Sequence, residues 1–440
     1  MNILTRRQWL SNAGMTVLAS KATLLGMTRR RSPEWLMIVW CAHSVARAQE
    51  LKVRFDQSYV KQMIRHCFDH GVRSILWRGS YVGKLTYPSR TGETMGQLEA
   101  DHFARQGFAG KGWEQTLASF NSIAEVTSEF DSLKVALDEV HRLGMRLYAD
   151  IALFDRFFPG LENRFFDEHP ECWVLARDQK TYYRGIPCYA EPAAQNYVLS
   201  EIEELLACGV DGISLSLESH AGHLEVFGAG GKRPDEFGFN PPVVASYQRK
   251  HGIDIRKQPF ESARLYAVNG QLFSDFLRRI HRVLNGRRLL VATTLDGYVG
   301  YGGVGGLQSG ERTWRRRQPL DVMPAYRVDL EWDRWMAEGI ADGLMVYAPV
   351  GEAIAQVQKI KKRLPEHPVY LIRETDSQKY QKDYRREFEK VSAGLLDGIV
   401  IDEMKDYHPH PQPWCRLLPA DSLRSARARM ASGQRTVECG

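Results

Sequence analysis

The sequence predicts an α/β chain folded as one (β/α)8 TIM barrel, with long loops after strands 2, 3 and 4. Three observations carry that expectation. Apolar runs alternate with helical periodicity through eight strand-like segments between residues 35 and 402, the count such a barrel needs. Three strand starts repeat one pattern, Asp211-Gly212-Ile213, Asp342-Gly343-Leu344 and Asp397-Gly398-Ile399, each after a helix-ending segment. That repeat suits the tight αβ turns at the bottom of a barrel and marks the Asp-Gly pairs as structural. The chain has 440 residues, 43% hydrophobic and 25% charged, which suits a barrel with insertions that buries a large core and argues against global disorder.

The elements follow in order. Trp35 to Cys41 reads as the first strand, ending at His43-Ser44, and residues 56 to 70 show helical spacing through Tyr59, Met63, Ile64 and Cys67, closed by Gly71. Val72 to Trp77 is the second strand, ending at Arg78. Residues 79 to 130, rich in Gly, Ser, Thr and aromatics, read as a functional loop or lid. A helix from Leu133 to Leu143 and a strand from Arg146 to Leu153, with Asp150 near its end, come next. The second long loop, 154 to 193, is dense in aromatics, which either present flat faces to a ligand or pack the loop itself. A helix from 194 to 208 leads to the fourth strand, Asp211 to His220, and a Gly-rich loop. Helices at 241–251 and 264–285, a strand at 288–295, a helix at 329–338 and a strand at 342–348 continue the cycle. A helix at 352–362, a strand at 369–374, a helix at 380–393 and a strand at 397–402 complete it. The barrel domain is expected over 34–410, with a leader over 1–30 and a tail over 411–440.

Thr5-Arg6-Arg7-Gln8-Trp9-Leu10 and the apolar run Ala13 to Met27 resemble a bacterial twin-arginine export signal, so a periplasmic or extracellular location is expected. The run is short and broken by Lys21, and no stable membrane span is expected. The net charge of +6 sits partly in Arg29-Arg30-Arg31, Arg315-Arg316-Arg317 and Arg424, Arg427 and Arg429. These read as solvated charge, and no nucleic-acid partner is expected. Seven cysteines without CxxC spacing indicate no zinc knuckle, although Cys172 and Cys188 flank one loop and either pair or remain separate thiols.

A barrel of this type builds its site from the carboxyl ends of its strands. Those ends supply His43, Arg78, Asp150, Glu218 with His220, Asp296, Tyr347, Glu374, and Asp402 with Glu403. Acidic groups recurring around one ring suit glycoside hydrolysis, which needs one carboxyl to protonate the leaving oxygen and another to attack or to activate water. Glu218 is the candidate general acid/base and Glu374 the candidate nucleophile or base. His43, Arg78, Asp150, His220, Asp296, Tyr347, Asp402 and Glu403 are the candidate substrate-binding groups for a carbohydrate. Glu218, His220 and His223 also form a Glu-x-His-x-x-His cluster, for which hydrogen-bonded or surface histidines are the better account, so no metal is expected. No cofactor is expected either: Gly300 to Gly306 lacks the Lys-Ser/Thr of a phosphate loop, and no Gly-x-Ser-x-Gly elbow is present.

Residues 211 to 218 resemble the strand-four signature of family 18 chitinases, in which Asp-Gly is followed by two more acids at alternate positions and a terminal catalytic Glu. Ser214 and Ser216 stand where that pattern has Asp. The Asp nearest the Glu orients the substrate's acetamido group in that family, so the resemblance carries over only Glu218 and, by weaker analogy, Tyr347. This departure keeps open a second reading, a carbohydrate-binding barrel without catalysis. A broader resemblance is to uncharacterised bacterial family-10-like glycosyl hydrolases. It rests on Asn163-Arg164-Phe165-Phe166 with His169-Pro170-Glu171, on Pro187-Cys188-Tyr189-Ala190-Glu191-Pro192, and on Phe237-Gly238-Phe239-Asn240-Pro241-Pro242 leading to Tyr247 and His251-Gly252-Ile253-Asp254-Ile255. It covers roughly residues 35 to 410 and implies a sugar-active barrel.

Overall fold

A computed structural model describes residues 33–105, 110–158, 160–217, 236–293, 298–299, 326–348, 350–374, 381–404 and 413–416. The leader, with the twin-arginine-like pair, lies outside the described residues. Chain contacts divide at Pro33 and Glu34, and the barrel belongs to the unit that starts at Glu34. Among the described residues no helix is long and apolar enough to cross a membrane.

Eight parallel strands close into a barrel. They are β1 (Glu34–Trp40), β2 (Ser74–Arg78), β3 (Arg146–Ala152), β4 (Gly212–Ser216), β5 (Arg288–Thr293), β6 (Gly343–Val346), β7 (Val369–Glu374) and β8 (Gly398–Met404). Each pairs with its sequence neighbours, and β8 pairs back onto β1, with Glu34 opposite Gly398. The described helices of eight residues or more are α1 (Cys41–Glu50), α2 (Gln57–Asp69), α3 (Lys111–Glu129), α4 (Ser132–Arg142), α5 (Pro192–Cys208), α6 (Pro241–His251), α7 (Ser262–Leu284), α8 (Ala353–Arg363) and α9 (Gln381–Ser392).

Two helices depart from the sequence expectation. The expected first strand runs to Cys41, whereas the chain turns helical there and stays so through Glu50, so His43 sits in the first turn of α1. Residues 111–129 form a 19-residue helix inside the expected lid, burying Phe120, Ile123 and Ala124 on one face. The aromatics of 154–193 pack the loop itself: Phe154, Phe157, Phe166, Trp173, Tyr183 and Tyr189 are all buried, and Phe166 stacks on Trp173 at 4.1 Å. Cys172 and Cys188 are separate thiols, and burial pushes both up to about 12.

The Asp-Gly repeats explain how the bottom of the barrel closes. In each, the aspartate accepts a backbone N–H from the first or second residue of the preceding strand: Asp211 from Leu147 at 2.8 Å, Asp342 from Leu289 at 2.7 Å and Asp397 from Val369 at 2.9 Å. The glycine that follows has no room for a side chain. A Cβ on Gly398 would lie 1.9 Å from the Glu34 carbonyl oxygen, and one on Gly212 would meet the Arg288 carbonyl at 2.4 Å and the Tyr148 ring at 2.8 Å.

Above these turns lies a polar layer centred on Glu34. Its carboxylate accepts from Ser74 Oγ at 2.7 Å and Tyr370 OH at 2.8 Å, and Arg288 Nη1 lies at 3.4 Å. Arg288 also donates to the hydroxyls of Tyr148 and Tyr370, at 3.0 and 3.1 Å. Burial would raise the Glu34 carboxyl, but the Arg288 charge, the Ser74 and Tyr370 hydrogen bonds and Arg146 outweigh it and hold the group below its ordinary value.

On the helix side of β7, Arg373 is fully buried and forks onto Glu387 of α9, with Nε to Oε2 at 2.6 Å and Nη2 to Oε1 at 2.9 Å. Its Nη1 donates to the carbonyls of Ala348 and Ile372 at 2.8 and 2.9 Å. Both ions are paired and hydrogen-bonded, which a charge at this depth requires.

Candidate functional site

At the carboxyl ends of the strands, register brings together residues distant in sequence. Trp40 lies opposite Arg78, and Asp150 lies opposite Ser214. Arg78 and Asp150, both buried, form an ion pair with Nε and Nη2 at 2.6 and 2.5 Å from Asp150 Oδ2. Ser214 Oγ donates to the other carboxylate oxygen at 2.6 Å. The guanidinium of Arg78 also sits 4.0 Å from the Trp40 ring centroid, a cation–π contact in a dry setting. Two expected substrate-binding groups therefore bind each other.

The same geometry accounts for the serines of strand four. A carboxylate at 214 would stand beside the Asp150 carboxylate in a water-poor interior, where two like charges do not both ionise. Ser216 lies within 3.3 Å of the Tyr347 hydroxyl, and both are buried.

Nearer the mouth, the Trp40 indole donates Nε1–H to Asp402 Oδ1 at 3.1 Å. His43 stacks on Trp40 at 4.7 Å and 8°, and meets Tyr81 edge-on at 5.4 Å. Trp40, His43 and Tyr81 thus make a ring wall beside Asp402. Glu374 ends β7 with its backbone in register with Asp402, and Glu403 follows on β8. Of the remaining candidates, Glu218, His220 and Asp296 lie outside the described residues, as does His223 of the alternative metal cluster.

Sequence reasoning missed Trp40 and Tyr81. A tryptophan closing the first strand was a usable signal, because strand ends face the mouth of a barrel; Tyr81 needed the hairpin of Ser80–Tyr81 with Lys84–Leu85, which no local pattern announces. A separate cavity of about 20 Å³ touches Trp77, Gly79, Asp150, Arg156 and Glu201. That volume has room for about one water and is too small for a sugar. Arg156 and Glu201 pair there at 2.8 Å, and burial raises the Glu201 carboxyl despite the Arg156 charge.

No family profile matches the sequence, and no curated protein matches it. Solved structures do. The catalytic domain of β-amylase from Paenibacillus polymyxa is 9% identical, aligned over 92% of this chain and 99% of that one, with a TM-score of 0.47. The endo-1,4-β-mannanase from Rhizomucor miehei is 9% identical over 90% and 95% of the two chains, TM-score 0.45. A GH36 α-galactosidase from Geobacillus stearothermophilus is 9% identical over 92% of this chain but 43% of its own length, TM-score 0.43. All three are glycoside hydrolases. At such identities and scores they carry neither substrate nor mechanism to this chain, whose barrel rests on its own strand order, and the family-10-like resemblance gains no more specific support.

Proposed function

We propose that this barrel hydrolyses glycosidic bonds of an oligo- or polysaccharide at its carboxyl face, with Glu218 as general acid/base and Glu374 as nucleophile or base. The observation that carries this reading is the register of Glu374 with Asp402 beside the Trp40–His43–Tyr81 wall. Acid-bearing strand ends next to the half-buried rings of His43 and Tyr81, backed by Trp40, match what a sugar needs, carboxyl chemistry at the bond and ring surface for its C–H faces. In sequence Glu218 comes just after β4, which stands three strands around the ring from β7, the strand that ends at Glu374. Asp402, with Tyr347 and His43, serves to hold the sugar. Arg78 and Asp150 position Trp40 and Ser214 from below rather than touching substrate. Export by the twin-arginine-like leader belongs to the same proposal, because polysaccharides are met outside the cytoplasm.

The test is release of reducing ends from a panel of plant, fungal and bacterial polysaccharides. Glu218→Gln and Glu374→Gln should each lower kcat by about 10²–10⁴-fold while ligand binding persists. A parent chain that binds sugar without turnover would make the barrel a binding module, the reading that Ser214 and Ser216 favour. Failure of the parent to bind or cleave any of the panel would end both.

A further inference from the structure

The outer face of the barrel carries a cluster that the carbohydrate reading does not use. His66 and His70 lie one helical turn apart on the last turn and cap of α2, and Cys415 approaches them from the short turn Pro413–Arg416. One potential ligand atom from each of the three lies within 4.8 Å of the others. Cys415 Sγ is 3.5 Å from His66 Nε2. Bonds of about 2.05 Å to nitrogen and about 2.3 Å to sulfur, meeting at a tetrahedral angle, put those two atoms about 3.5 Å apart.

The surroundings prepare the ring nitrogens. His70 Nδ1 lies 2.8 Å from the His66 carbonyl oxygen; donation there places the lone pair on Nε2 and fixes the ring, as the outer hydrogen bonds of metal-bound histidines do. Trp414 is buried and sets its edge against both imidazoles, at 5.7 and 5.5 Å. Cys415 is itself buried and the two histidines are half-buried, so the cluster is shielded on the tryptophan side and reachable from the other.

We propose that His66, His70 and Cys415 bind one zinc-class divalent ion, with water in the fourth position, and that the ion staples the Pro413–Arg416 segment to α2. Two imidazoles and a thiolate select a borderline-soft metal over magnesium or calcium. The cysteine loses its proton on binding and the histidines bind neutral. The site stands apart from the mouth of the barrel and is independent of any activity there.

The full chain, stripped with chelator and reloaded, provides the test. Zinc should remain at one equivalent after desalting, and cobalt should give a near-ultraviolet thiolate-to-metal charge-transfer band. Cys415→Ser should abolish that band, and His70→Ala should weaken zinc binding at least about tenfold, as losing a direct ligand exceeds the effect of losing an outer-shell partner. Circular dichroism would show that each variant is folded; if His70→Ala is not, His66→Gln replaces it. Absence of stoichiometric zinc in the parent overturns the proposal. So does zinc binding that Cys415→Ser and the histidine variants leave unchanged, since the ion would then sit elsewhere, as on the Glu218, His220 and His223 segment.

Discussion

The two ends of the barrel each set a carboxylate against an arginine, and they do it differently. At the bottom, Glu34 accepts from three other strands, through Ser74, Tyr370 and Arg288, with the Arg146 charge of a fourth at 3.8 Å, and Tyr148 joins through Arg288. The network closes on itself and crosses the whole barrel. At the top, Asp150 is satisfied by its two flanking strands alone, through Arg78 and Ser214. The Trp40 ring then links that pair to Asp402 at the mouth. The bottom spends its polarity on holding strands together, whereas the top uses a compact ion pair as the floor on which aromatic and acidic groups stand.

Removing one charge at each end tests that contrast. Asp150→Ala takes the Asp150 carboxylate away from the buried Arg78 and should cost about 3–5 kcal/mol in urea unfolding; Asp150→Leu with Arg78→Met should recover most of it, because both charges then leave together. A recovery that fails would mean the pair does more than satisfy itself. Gly398→Ala drives a methyl into the Glu34 carbonyl and should cost about 3 kcal/mol, the upper end for overpacking, with the loss read as a lower melting temperature. Glu34→Gln should cost about 2 kcal/mol at neutral pH. The carboxyl titrates below its ordinary value of 4.5 in the folded chain, so its contribution is complete above that value and fades as pH falls through the folded one. The Gln variant should therefore lose the parent's stability decline in that acid window, and an unchanged acid limb would refute the role given to Glu34. Asp342→Ala removes one strand-capping acceptor and should cost about 1 kcal/mol, the smallest effect, with Asp211→Ala and Asp397→Ala in the same range.

Much of this architecture was legible in the sequence because its signals are local. Helices α2 and α4 begin at Asp56 and Asp131, whose side chains accept from Tyr59 N and Lys134 N, and α6 opens on Pro241. All three were read close to their observed bounds. Helices α1 and α3 start at Trp40 and Gly110 with no side-chain cap, and no local signal announces either. The Asp-Gly pairs were read as structural, but their work depends on Tyr148 and on the Glu34 and Arg288 backbones, tens or hundreds of residues away. The candidate site divides the same way. Strand-end position named Arg78, Asp150, Tyr347 and Asp402, yet it gave no sign that the first two would bind each other, because only register sets Ser214 beside Asp150.

The buried fork of Arg373 onto Glu387 has a mechanical side. Arg373 directly precedes Glu374, so the guanidinium acts as a torsional stop for the last peptide of β7, anchored to a helix on the far side of the sheet. Loosening the α9 end of that fork would let the tip of β7 swivel while the other strand ends at the mouth stayed in place. Precision at the rim of the barrel is thus delegated to its outer layer, and a substitution at Glu387, remote from any sugar, would be felt as a blurred aim.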